Sequence, residues 1–455
     1  MMTPCSFFAK PAALIALFLP LLPCDAAANV LKLVMPSVLT KNSAPPPSGP
    51  RWRTPQLVEN EADYAYSPDI VADAQGNALA LWRKSGSGTW CRQYTAGVGW
   101  KAAGLLGGGN SVVSMSPAGS LAVAWSEYDA NDDAAVYAKI CAAADSCGET
   151  VQISGSSNFA EPQSVVMDEA GNAAAFWTEG MRFSVLWTSL YEPGAGWSAP
   201  VQIEANSQQR TALSSADASG NLLVVWEQRL VNTFYLAAKR YELGAGWGKS
   251  QLIETADPVQ LSNSAGHQLA ADKAGNVIAV WQRTALPLVG GDIWVNRYAA
   301  GTGWGTAQLL ETDAVNGAAN PDVAMDEEGN ALAVWQQSDG SRVNIWTASY
   351  TLDAGWSAPQ LLETNDAGDA KQPQIAMNAA GGAAAVWQQH DGIRWNIWAA
   401  RHAPGAGWQD IQLIEKNNIG DAQNPHVMID ADGKAIAVWE QDDGTNRNIW
   451  AARYE

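Results

Sequence analysis

Charge is scarce in this chain, and positive charge scarcer still. Only 16% of its 455 residues are Asp, Glu, Lys or Arg, and 27 Lys+Arg stand against 46 Asp+Glu. The formal charge of −19 comes with no Lys/Arg cluster, which disfavours phosphate backbones and anionic membrane surfaces, and no nucleic-acid partner is expected. Histidine is limited to His267, His390, His402 and His426, in no His-x-His or HExxH spacing, so no zinc site is expected. No Gly-x-Ser-x-Gly elbow, phosphate-cradling loop, CxxC pair or CxxCH haem element occurs. No catalytic residue and no cofactor follow from any motif. Beyond residue 28 no stretch is apolar enough for a membrane helix. With 47% apolar residues, the chain is not of the disordered acidic kind either.

The first 28 residues read as a secretory signal. Lys10 supplies a weak positive region, Ala12 to Leu22 an apolar stretch, and Ala26-Ala27-Ala28 a cleavage site. A second reading takes Leu21-Leu22-Pro23-Cys24 as a lipoprotein signal with Cys24 lipidated, although Pro23 suits that site poorly. Residues 29–50 form a Pro-rich linker. Export leaves three cysteines in the mature chain. Cys141 and Cys147, six apart around a small-residue turn, have the spacing of a local disulfide in an oxidising compartment, and Cys91 is left buried in a strand.

What is abundant is tryptophan, with 22 residues, together with 41 glycines. Self-comparison puts Trp82, Trp125, Trp177, Trp226, Trp281, Trp335, Trp387 and Trp439 in one column after small apolar runs. Nine residues before each stands Asp73, Ser116, Asp168, Asp217, Asp272, Asp326, Asn378 or Asp430. A second column is Trp90, Tyr137, Trp187, Ala237, Trp294, Trp346, Trp398 and Trp450. Ten residues after its first seven members come Trp100, Cys147, Trp197, Trp247, Trp304, Trp356 and Trp408. With Trp52 these columns hold 21 of the 22 Trp residues; Trp395 alone lies outside them. Each unit of about 50 residues reads as four short strands with Gly-containing turns, and Asp-x-x-Gly-Asn suits a tight hairpin. Eight such units predict an all-β, eight-bladed β-propeller over residues 51–455. The last unit lacks a fourth strand, and Trp52 to Glu59 carries that strand's pattern at the other end of the chain. Ring closure by the N-terminal strand is expected.

On these columns the chain resembles the exported β-propeller repeat proteins. The Asp-x-x-Gly turn followed by Trp is loosely similar to the Asp-box of sialidases, with different spacing. The order of apolar-Trp, Ile-Trp and Gly-Trp strands resembles the blades of fucose-binding propeller lectins. Both likenesses imply the fold far more than a ligand.

The turn Asp residues and the Trp columns are read as structural, because every blade repeats them. Loops between second and third strands vary in length on one face, where binding is usually built. Three of them, Ser338 to Asn344, His390 to Asn396 and Asp442 to Asn448, share Asp-Gly, then Arg (Arg342, Arg394, Arg447), then Asn. If His402 faces Trp408, paired positions sum to 810, which sets Glu415 opposite Trp395; by the same count Glu363 faces Val343 and Glu59 faces Arg447. The expected ligand site is therefore Asp391, Arg394, Trp395, Asn396 and Glu415, flanked by Arg342 and Arg447. Arg240, Arg297, Arg401 and Arg453 fall near the opposite face and read as solvated or salt-bridging. The expected function is non-catalytic recognition of an extracytoplasmic glycan or protein by a monomer, soluble or lipid-tethered. The alternative is a carbohydrate-active enzyme with carboxylates near the axis, and a purely structural role is third. A raised-pKa acidic cluster at the axial entrance favours the enzyme; a broad polar-aromatic rim favours binding.

Overall fold

The computed structural model describes residues 50–455, apart from 60–63, 130–132, 144–145, 156–158, 181–183, 205–207, 231–232, 255–261, 286–289, 312–316 and 365–366. The signal sequence, Cys24 and residues 29–49 of the linker lie outside the described residues.

Eight antiparallel sheets follow one another along the chain. Blade 6 is representative: Ala318–Met325, Ala331–Ser338, Val343–Thr351, then a fourth strand in two pieces, Gly355–Trp356 and Gln360–Leu361. Blade 7 runs Ala370–Met377, Ala383–His390, Trp395–Ala403 and Gly407–Leu413. Second strands are buried on both faces because each lies between neighbouring sheets, and their Trp residues are at most 3% exposed. The chain closes as its pattern predicts. Gln56–Leu57 pairs with Arg447–Tyr454 as the fourth strand of blade 8, in the register Gln56↔Ala451 and Leu57↔Trp450, and Trp52 bridges to Tyr454. Among the described residues no helix is long and apolar enough to cross a membrane.

The Asp of each hairpin turn is structural. Asp326 accepts the N–H groups of Glu328 and Asn330 through Oδ1 and the Asn330 amide through Oδ2 (3.0, 2.8 and 2.9 Å), and Asp73 and Asp217 repeat the pattern. The Gly takes positive φ, as at Gly329 (81°), where an L side chain is strained.

Each third-column Trp faces an aromatic ring across its hairpin: Tyr94–Trp100, Tyr191–Trp197, Tyr241–Trp247, Tyr298–Trp304, Tyr350–Trp356 and His402–Trp408 lie 5.3–5.6 Å apart. Trp52 and Tyr454 make the same contact across the closing seam at 5.8 Å. In blade 2 the corresponding pair is Cys141↔Cys147, and these two form a disulfide. The covalent bond stands where the other blades have an aromatic pair. Replacing both cysteines by Ser is expected to lower stability by about 2 kcal/mol. Cys141→Tyr with Cys147→Trp is expected to recover most of it and to make melting indifferent to reductant. Thermal melts with and without dithiothreitol check both.

The strand-three arginines near the turn face do more than sit in solvent. Arg240, Arg401 and Arg453 each lie over the strand-three tyrosine of the next blade, Tyr298, Tyr454 and Tyr94, at 5.4, 4.6 and 5.2 Å. They join consecutive blades, and Arg240 and Arg453 are also salt-bridged, to Asp217 and Glu455.

Candidate functional site

First strands line the central channel. They begin at the variable-loop face, since each runs away from it into an Asp turn and the second strand returns. Six residues before the turn position the inner strand of six blades bulges through left-handed backbone, at Ser67, Thr211, Gly266, Asn320, Gln372 and Asn424 (φ 43–60°). For the five non-glycine residues this conformation costs on the order of 1–2 kcal/mol each. The bulge is held by the preceding blade. The N–H groups of Gln372, Asn424 and Ser67 donate to Gln336, Gln388 and Glu440 at 3.0 Å, each of these being the residue after a buried Trp.

Two residues beyond the bulge position, the inner strand pairs with the residue before the buried Trp of its own blade. Around the ring this position reads Asp69, Val112, Ser164, Leu213, Gln268, Asp322, Gln374 and His426. The ring is therefore lopsided. Blades 5 to 8 and blade 1 form a continuous arc of amides, carboxylates and an imidazole, and blades 2 to 4 complete it with two aliphatic residues and one Ser. A cavity of about 560 Å³ occupies the channel there, lined by Ser67, Asp69, Arg83, Gln268, Gln374 and His426 among others. The side-chain amides of Gln268, Gln372 and Gln374 line it without a protein hydrogen-bond partner among the described residues. Their donors and acceptors remain available to a ligand.

The arc also carries coupled charges. His426 Nδ1 is 3.3 Å from Asp69 Oδ1. Enclosure works against the imidazolium, but Asp69 and then Asp322 outweigh it and raise the His426 pKa. Enclosure likewise opposes charge on Asp69; His426 and the Ile70 N–H overcome it and hold that carboxyl below its usual range. Asp322 differs. Burial pushes its carboxyl up to about 6, against the N–H bonds from Ile375 and Val323 and the field of His426. Between about pH 4 and 6 the folded chain thus keeps a proton that the unfolded chain has released, so this contribution to stability is lost as pH rises. Its size is on the order of 3 kcal/mol. Asp69 and His426 titrate outside that window. The stability difference between Asp322→Asn and the unaltered protein is expected to shift in favour of the variant by about that amount from pH 4.0 to 6.5, measured by urea unfolding of both at the two pH values.

The rim residues singled out in the sequence are partly assembled. Trp395 is half-buried at the start of its strand, its ring 5.2 Å from His390 and 5.4 Å from Lys371 Nζ, and its backbone N–H donates to Asp421 at 2.9 Å. Lys371 precedes the cavity-lining Gln372, while Trp395 itself is not among the residues lining the cavity. Arg394 reaches the Asn418 carbonyl in the next loop. Asp391 accepts the N–H groups of Ile393 and Arg394, while the buried Asn396 donates to the Arg394 carbonyl; both hold the loop. Arg342 is bonded to Asn344, and Arg447 to Glu440 at 2.9 Å.

Glu415 is not on this rim. The 810 register holds at His402↔Trp408 and Arg401↔Gln409, but a bulge at Asp410 (φ 52°) shifts it, and Trp398 pairs with Leu413. Glu415 ends fully buried, accepting the N–H groups of Asn417 and Asn418 and the Gln441 amide (2.6, 2.8 and 3.1 Å). Glu363 likewise accepts from Gln389 rather than facing Val343, and Glu59 pairs with buried Lys84 at 3.5 Å rather than with Arg447. In blades 5, 6 and 7 this Glu joins the blade to the next: the Gln that donates its amide to the Glu also accepts the indole N–H of its own blade's buried Trp, as in Trp387–Gln389–Glu363. Glu415, Glu363 and Glu59, read onto the rim, are interior links, and only Asp391 stays in the loop.

A second cavity, of about 610 Å³, lies on the opposite face between blades 8 and 1. Its charged groups are spent on neighbours: Arg453 on Tyr94 and Glu455, Asp430 on the Lys434 N–H, and Lys434 on Asp432. The axial cavity is the candidate site. Among the described residues no cluster of three or more metal-ligating side chains occurs.

No family model matches this sequence, and no curated protein does. Solved structures do match in fold. One is a polysaccharide lyase, the ulvan lyase of family PL25, at a TM-score of 0.52 and 9% identity over 88% of this chain and 95% of that one. Another is the BP39L lectin from Burkholderia pseudomallei, at 0.47 and 13% over 74% and 97%. A third is a leech intramolecular trans-sialidase, at 0.37 and 11% over 88% and 92%. At such identities the likeness is one of fold alone.

Proposed function

We propose that this is an exported protein that recognises an extracytoplasmic glycan without transforming it, at the variable-loop face. The observation that carries this reading is the axial cavity, whose lining amides are unspent and fixed on rigid inner strands. Sugar hydroxyls both donate and accept, and planar amides offer both functions in one group. Trp395, Arg394, Arg342 and Arg447 form the outer rim of the proposed site, and Asp391 and Asn396 set the loop beneath Trp395. A half-buried indole at a binding surface supplies an apolar face for a sugar ring. A glycan array probed with the purified mature protein tests the reading, and Gln374→Ala is expected to erase its signals. Trp395→Ala is expected to weaken a captured glycan by about 2 kcal/mol without altering the melting temperature. Arg297→Ala, on the opposite face, is expected to leave binding unchanged. Retained binding in Trp395→Ala with loss in Arg297→Ala overturns the placement.

One observation favours catalysis as a second reading. Asp322, buried at the same level of the ring as His426 and within reach of its field, has its carboxyl pushed up to about 6, in the range of groups that transfer protons. Incubation with polysaccharides, followed for new reducing ends and for unsaturated sugars at 235 nm, decides it. Products that vanish in Asp322→Asn establish an enzyme.

A further inference from the structure

A groove leaves the axial cavity on one side. It has a volume of about 410 Å³ and is lined by Tyr64, Tyr66, Ser67, Ser85, Asn424, Glu440 and Arg447. Ser67 and Asn424 line both spaces, so the groove continues the cavity outward across the junction of blades 8 and 1. Its walls are rigid where they meet the channel. Glu440 accepts the Ser67 N–H at 3.0 Å, the Asn424 amide at 2.7 Å and Arg447 at 2.9 Å, which fixes both left-handed bulges and the arginine on one buried carboxylate.

At the outer end stand two tyrosines. The rings of Tyr64 and Tyr66 are 6.5 Å apart, the Arg447 guanidinium lies 5.1 Å from the Tyr64 ring, and Tyr64 is 45% exposed. The repeat does not account for this pair, which precedes the Ser67 bulge and belongs to none of the Trp columns. An exposed aromatic ring propped by a guanidinium leaves one face for an apolar plane such as a pyranose. The unspent amides and the exposed ring thus occupy two connected compartments, one at the axis and one outside it.

We infer that the ligand is a linear oligosaccharide, with one sugar among the axial amides and later sugars running over Ser67 and Asn424 to stack on Tyr64. This rests on the glycan reading above and adds chain length and direction to it. A short sugar fills only the axial cavity, so the groove contributes affinity only to longer chains.

The test is calorimetric titration of the mature protein with xylo-, cello-, manno- and galacturono-oligosaccharides of one to six units. In a series that binds, affinity is expected to rise at least tenfold between the di- and the tetrasaccharide. Tyr64→Ala is expected to remove that gain and to leave the disaccharide within twofold, while Tyr64→Phe keeps the gain. Tyr64 is exposed, so these variants retain the fold, as a melting curve will show. Affinity independent of chain length, or a gain that survives Tyr64→Ala, overturns the inference alone. Failure of all four series to bind overturns the glycan reading with it.

Discussion

Removal of residues 51–59 is expected to cost this protein its cooperative fold. Those residues are the fourth strand of blade 8, and they carry Trp52, Val58 and Glu59, which are 2%, 0% and 1% exposed. Without them Arg447–Tyr454 becomes an open sheet edge, a template for association with other chains. The Trp52–Tyr454 ring contact and the Val58 N–H bond to Ile449 go as well. Deleting a single buried Trp side chain costs roughly 3–5 kcal/mol, and this deletion adds a valine, an ion pair and the ladder bonds. A chain starting at Glu61 should melt far lower or aggregate. An unchanged melting temperature refutes circular closure as a source of stability.

The second large effect is expected at a single side chain in that closing strand. Lys84 and Glu59 are paired with about 1% of either side chain exposed, and the Lys84 ammonium also lies 4.2 Å from the Trp90 ring. Glu59→Ala removes the carboxylate paired with this buried ammonium, and removing one member of a buried pair costs about 3–5 kcal/mol. Lys84→Gln should be nearly neutral. It gives blade 1 the Glu–Gln link that blades 6 to 8 use, and it offers an acceptor to the Trp82 indole N–H, which has none. Urea unfolding of the two variants separates the cases. Equal loss in both shows that the ion pair itself, rather than the uncompensated charge, carries the stability.

Much of this molecule was legible in one dimension because its architecture is a repeat. The spacing of Asp326 and Trp335 recurs in eight copies, and strand alternation needs only local residues to be read. The displaced fourth strand and the bond between Cys141 and Cys147 followed from comparing units with one another. The aromatic partners were open to the same comparison, since Tyr94, Tyr191, Tyr241, Tyr298, Tyr350 and Tyr454 each stand four residues after the second column.

The site was decided elsewhere. Register arithmetic carries only as far as the strand stays regular, and the left-handed turn at Asp410 shifted Glu415 from the rim into the interior. No residue type announces such a bulge, because the strain is borne by a non-glycine residue and repaid by contacts made elsewhere in the fold. The axial arc was equally hidden. Asp69, Asp322 and His426 lie in strands with no motif, hundreds of residues apart in sequence, and only closing the ring sets them at one level. The sequence by itself determined eight blades, their order, the closing strand and the disulfide, because each depends on a pattern within one or two repeats. Tertiary structure alone decided which carboxylates are buried links and which line the channel, because that choice depends on φ at single bulge residues and on neighbours supplied by the next blade.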